Sequence, residues 1–128
     1  MPRKSADRKN KLPGSPYAER IRARLWVTGA RQGYLGIGKV RLLEQIDCHG
    51  SISAAARAMG MSYKRAWSLV EEMNALGGRP LVDKGAGGAG GGHASLTEDG
   101  HRAVAMYRAL EQDLEQFLKK KSEELVFE

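Results

Sequence analysis

Between Gly38 and Cys48, Val40, Leu43 and Ile46 or Asp47 fall three or four residues apart, with Leu42 beside them and polar residues between. That spacing is the apolar stripe of a helix. His49-Gly50 ends it. Ser51-Ile52-Ser53 then offers capping hydroxyls to a second, short helix over 54–59. Its alanines favour helix and let a neighbour approach closely. Gly60 can take the left-handed turn that closes it. Ser62 is placed to cap a third helix, running to about Leu76. Ala66, Leu69 or Val70, Met73 and Leu76 form its inner stripe, while Tyr63, Lys64, Ser68 and Glu71 fall mostly opposite. Gly77-Gly78 and Pro80 stop it.

Residues 21–28 alternate in part and are rich in β-formers, which predicts a short strand, and a loop through Gly29, Gly33 and Gly36 follows. Two more short strands, 81–84 and 94–97, flank a segment from Gly85 to His93 with six glycines in its first eight residues. The last helix starts near Thr97 and runs to about residue 121. Glu98 and Asp99 in its first turn and Lys119-Lys120-Lys121 near its end both suit the helix dipole. Along it Gly100, Ala103, Tyr107, Leu110, Leu114 and Phe117 are spaced 3, 4, 3, 4, 3, the rhythm of a helix seam.

Composition adds bounds. The 128 residues allow one domain with a modest core, and 41% hydrophobic with 28% charged residues fits a globular protein. No run reaches the ~18 apolar residues of a membrane span. The basic N-terminus has no apolar stretch after it, so it does not read as a secretory signal. Cys48 is the single cysteine, which excludes an internal disulfide and suits a reducing cytoplasm. The net charge of +6 lies wholly in residues 1–24, where eight Lys/Arg face Asp7 and Glu19; the remaining thirteen basic and thirteen acidic residues cancel. With Pro2, Pro13, Gly14 and Pro16 among the charges, residues 1–20 read as a disordered arm, before a folded domain over 21–121 and a tail over 122–128. Such an arm suits a polyanion through counterion release, or is a solvated tail. Charge alone does not establish nucleic-acid binding.

The order of elements says more. A helix, a short alanine-rich helix, a tight glycine turn, a longer helix and two strands joined by a loop make a mainly α fold with a small β wing. This is the layout of a winged helix-turn-helix, whose third helix offers polar side chains to the major groove. So small a domain has limited surface to cover the long C-terminal helix, which favours pairing of its seam with a second copy over packing on the chain itself.

The run Gly50-Ser-Ile-Ser-Ala-Ala-Ala-Arg-Ala-Met-Gly-Met-Ser-Tyr-Lys-Arg-Ala-Trp67 closely resembles the DNA-binding domain of the molybdate-responsive ModE regulators. Glu72-Met-Asn74, Leu81-Val82, the glycine-rich wing and Leu96-Thr97 with Gly100 extend the likeness over roughly 21–120. A looser likeness runs to LysR-type regulators. The resemblance implies a homodimeric, sequence-specific transcriptional regulator of double-stranded DNA, cytoplasmic and nucleoid-associated, with strand and long helices paired about a two-fold axis. Ser62, Tyr63, Lys64, Arg65 and Ser68 are then candidates for base edges or phosphates, with Ser51 and Ser53 as caps first and phosphate contacts second. Trp67 reads as a packing residue between helices. Lys84, Gly88 and Gly90 belong to the wing that would meet the backbone, and Ala103, Tyr107, Leu110, Leu114 and Phe117 to the dimer seam. ModE-type regulators sense molybdate through C-terminal domains, and this chain ends ten residues after Leu118, so such sensing is not expected of it.

Other chemistry finds less support. A nucleotide-binding loop would end in Gly-Lys-Ser/Thr, where this chain has Gly92-His93-Ala94. Cys48-His49, His93 and His101 match no zinc spacing, and no acid–base pair or nucleophile motif suggests an enzyme; no cofactor is expected. The alternative class is a metal- or oxyanion-responsive module, engaging a small effector or a partner protein on the same scaffold. A structure-specific RNA or architectural DNA binder is a third option, with the RNA version disfavoured by the want of an aromatic stacking platform.

Overall fold

The computed structural model describes residues 12–85 and 92–125. Its described elements are, in order, β1 (Ser15–Ala18), β2 (Ile21–Ala23), β3 (Val27–Thr28), β4 (Tyr34–Leu35), α1 (Ile37–His49), α2 (Ile52–Ala58), α3 (Tyr63–Asn74), β5 (Val82–Asp83), β6 (Ser95–Leu96) and α4 (Glu98–Ser122). The strands pair as three antiparallel ribbons, β1-β2, β3-β4 and β5-β6. The chain divides into two units, one over 26–108 and the other formed by the N-terminal 25 residues with 109–128.

The unit over 26–108 is a winged helix. Val40, Leu42, Leu43 and Ile46 of α1 are fully buried, as are Ala66, Val70 and Met73 of α3, so the stripes read from sequence do face a common core. Gly50 closes α1 in the left-handed conformation (φ +75°), with its N–H donating to the Ile46 carbonyl at 2.8 Å. Ser51 and Ser62 cap α2 and α3, their hydroxyls accepting from the N–H of Ala54 and Arg65, each at 3.0 Å. Each cap satisfies one of the donors that a helix start leaves open.

Two devices fix the wing. The Asn74 side chain, at the last turn of α3, accepts from the N–H of Leu81 and of Val82, each at 2.9 Å, and donates to the Val82 carbonyl at 3.0 Å. The strand leading into the wing is thereby bonded to the end of α3. At the other side, the Ala94 N–H donates to the Gly50 carbonyl at 2.9 Å. The Thr97 hydroxyl starts α4, accepting from the Gly100 N–H and donating to the Pro80 carbonyl. Gly100 is required here. A Cβ at this position would lie 2.1 Å from the Leu81 carbonyl oxygen, a backbone atom that cannot step aside.

Three sequence expectations change. Lys39 is buried (7% exposed), although it lies on no predicted stripe. Its ammonium donates to the Tyr34 carbonyl at 3.1 Å, pairs with Glu72 at 3.1 Å and sits 4.1 Å from the centre of the Tyr34 ring. Burial of the charge is offset by that set of partners. The single strand predicted over 21–28 is interrupted: β2 ends at Ala23 and β3 begins at Val27. Tyr34–Leu35, read as loop, forms β4 opposite β3 in the register Val27↔Leu35 and Thr28↔Tyr34.

In the other unit, β1 corrects the placing of residues 15–18 in a disordered arm. It pairs with β2 in the register Ser15↔Ala23, Pro16↔Arg22 and Ala18↔Ile21, with a bulge between Pro16 and Ala18. Two-stranded pairing leaves both strands as edges, where a proline is tolerated. Arg22 donates to the carbonyls of Pro13 and Gly14, and Tyr17 is buried. The remainder of α4 belongs to this unit and carries Leu110 and Phe117 as exposed apolar side chains.

Candidate nucleic-acid interface

Helix α3 is amphipathic. Its inner side is held by Ala66, Leu69, Val70 and Met73, and its outward side presents Tyr63, Lys64, Arg65, Trp67 and Ser68, all exposed. Its first turn has no acidic residue, so the helix dipole and the cations act with one sign. Among the described residues, Lys64 and Arg65 pair with no carboxylate. The two acids further along α3 are occupied, Glu71 by Lys84 and Glu72 by Lys39. The outward side thus carries uncommitted cations at its N-terminal half and neutralised carboxylates at its C-terminal half.

Trp67, read from sequence as a packing residue between helices, is 38% exposed. Its ring stacks on that of Tyr63, one turn earlier, with centroids 6.1 Å apart and planes 29° from parallel. The Lys84 ammonium lies over the ring, 4.7 Å from its centre, and is hydrogen-bonded to Glu71. Tyr63, Trp67 and Glu71 recur every four residues, so they form one ridge of α3, and Lys84 closes that ridge against the wing. The spacing was readable; the side it faces was not, because Trp67 is only one residue from the buried Ala66.

The other candidates fall as follows. Ser51 and Ser62 are engaged as caps, and Ser53 lies half-buried on α2. Lys84 stands at the start of the wing but is held by Glu71. Gly88 and Gly90 lie outside the described residues. Of the seam, Ala103 is half-buried on α4, whereas Tyr107 is 1% exposed and belongs to the interior. Leu114 is half-buried, and Leu110 and Phe117 are exposed. Sequence reading did not single out Met106, which is exposed and lines with Ala103 an open groove of about 580 Å³. The groove's other walls include Val27, Thr28, Leu35, Leu76 and Leu81.

Arg108 fixes α4 to α1 within the winged unit, donating from Nε and Nη2 to the two carboxylate oxygens of Glu44 at 2.9 and 2.7 Å. The hydrogen bond from Arg108 holds the Glu44 carboxyl below its ordinary value, against an opposing push from burial, with the charges of Arg108 and Arg41 adding to the lowering. Cys48 is exposed, and His49 is hydrogen-bonded to Gln45 of its own helix. His101 approaches Asp47 at 3.8 Å. No three His, Cys, Asp or Glu side chains gather to hold a metal among the described residues, and none of the described helices is long and apolar enough to cross a membrane.

Comparison with known proteins agrees with this geometry. Residues 37–101 match the family described as bacterial regulatory helix-turn-helix protein, lysR family. The molybdenum transport protein ModE of Azotobacter vinelandii is 48% identical over 87 residues, covering 68% of this chain and 32% of that protein. The molybdenum-pterin-binding protein MopB of Rhodobacter capsulatus is 49% identical over 84 residues, covering 66% and 30%. The DNA-binding transcriptional dual regulator ModE of Escherichia coli K12 is 45% identical over 74 residues, covering 58% and 28%. The chain spans about a third of the length of the relatives it matches.

Proposed function

From the premise that this chain belongs to the bacterial regulatory helix-turn-helix family of lysR type, we propose that it binds double-stranded DNA sequence-specifically as a homodimer. It thereby regulates transcription in the cytoplasm, on the nucleoid. The outward side of α3 carries the proposal: Tyr63, Lys64, Arg65 and Ser68 are exposed together, on a capped helix of a width that the major groove admits. Lys64 and Arg65 supply the charge that phosphates attract, and Ser68 and Tyr63 supply hydrogen-bonding groups for base edges. The family is one of regulators and not of enzymes. The molybdenum in the relatives' names belongs to proteins about twice as long, of which the match covers about a third, and the proposal for this chain concerns DNA.

Dimerisation rests on α4. Leu110, Leu114 and Phe117 keep the heptad spacing, with Leu110 and Phe117 exposed and Leu114 half-buried, which supports a seam with a second copy. Two copies related by a two-fold axis would present two α3 helices to successive major grooves, one or two helical turns apart.

Duplexes enriched from a random pool by the protein provide the test. The wild type should enrich a pseudo-palindrome, and Tyr63→Ala with Lys64→Ala should lose specific binding by tenfold or more, each lost base contact being worth about 1–3 kcal/mol. Sedimentation should show the double variant still dimeric. Enrichment of the same pseudo-palindrome by the double variant would remove α3 from the interface.

A further inference from the structure

We propose that Trp67 is a specificity-determining residue that reads the 5-methyl group of thymine, with Tyr63 and Lys84 holding its ring in place. The proposal rests on the DNA-binding function proposed above and names what one side chain contributes to it.

Three observations carry it. First, Trp67 keeps more than a third of its surface open on a helix whose neighbouring outward positions are Lys64, Ser68 and Glu71. Leaving an indole in water forfeits apolar burial, so this surface has a partner to gain. Second, the ring is restrained by two contacts, the stack on Tyr63 and the Lys84 ammonium, itself tied to Glu71. A restrained ring loses little conformational freedom on docking. Third, the surroundings select the occupant by charge. Lys64 and Arg65 flank the ridge with no carboxylate partner among the described residues, and both acids of α3 are neutralised. A polyanion is therefore admitted. Within the major groove, base edges are mostly donors and acceptors, and the C5-methyl of thymine is the largest apolar group among them. An indole carbon surface gains the most apolar contact from that methyl. Its Nε1–H adds a donor of fixed direction.

The ridge also explains Glu71, an acid on a surface proposed to face DNA. Its carboxylate is consumed in holding Lys84 over the ring, so the pair acts as a brace and not as a repulsive charge.

The test uses the duplexes enriched by the full chain from a random pool. Each thymine is replaced singly by uracil, which removes the methyl and leaves every hydrogen-bonding group. Wild type should lose about fourfold in affinity at one thymine per half-site, equivalent to the ~0.8 kcal/mol of one buried methylene. Trp67→Ala should bind the thymine and uracil duplexes equally there, while keeping a folded circular dichroism spectrum. Trp67→Phe should keep part of the preference. A role confined to bracing the wing would weaken Trp67→Ala on both duplexes and leave the methyl preference intact, which overturns the proposal. So would a wild type indifferent to uracil at every position, with the DNA-binding function still standing. Failure to enrich any duplex would remove that function, and this inference with it.

Discussion

Asn74 makes three hydrogen bonds to the backbone of Leu81 and Val82, although its own helix ends at its position. Truncation would leave two N–H groups and a carbonyl seeking partners in a part-buried place, at a cost of about 1–3 kcal/mol. Asn74→Ala should accordingly lower the melting temperature by several degrees, and calorimetry would show it; an unchanged melt would mean that solvent replaces the amide. Glu44 gives a pH-dependent counterpart. Its folded value is lowered by Arg108, so its contribution is fully present above the unfolded value near 4.5 and fades as pH falls through the folded one. Melts of wild type and Glu44→Gln should differ at neutral pH and converge under acid, and a constant gap down to about pH 3 would contradict the pairing. Local chemistry of this kind was legible only where both partners lie close in sequence. Ser51 and Ser62 were readable as caps because their acceptors serve residues three positions on. Lys39 was not, since a lysine is ordinarily exposed and its partners Tyr34 and Glu72 come from other elements.

Three helices were legible from apolar periods long enough to leave no rival pattern, and short α2 from its serine caps, alanines and closing glycine; each boundary fell within two residues. Short strands carry too few residues to show a period. β4 has two, and β1 contains Pro16, which argues against a strand unless the strand is an edge. The seam of α4 shows the limit of periodicity itself: Tyr107 and Leu110 share one stripe, yet Tyr107 is interior and Leu110 exposed. A stripe states which residues share a face and not what covers it. The dimer proposed for α4 predicts that Leu110→Asp with Phe117→Asp yields a folded monomer by sedimentation and weakens DNA binding strongly, because two half-sites are then bound singly. A dimer that survives both charges would place the interface elsewhere.

The whole molecule separates charge from recognition. Its net +6 arises within residues 1–24, whereas the proposed reading head lies in an electrically balanced remainder. The proposed function then predicts that affinity and selectivity separate by salt, with cations of the arm setting the counterion-release slope and α3 the preference among sequences. Gly100 adds a constraint of another kind, since its close approach to Leu81 ties the start of α4 to the strand leading into the wing.

The bonds at the two roots of the wing, from Asn74 on one side and from Ala94 to Gly50 on the other, make this hairpin a natural place for grafting. With its ends pinned by the scaffold, chain between them can be lengthened at an entropic cost that grows only logarithmically, ~0.6 kcal/mol per doubling. A peptide tag or a metal-binding loop spliced there would leave α3, the helix proposed to read DNA, with its geometry intact.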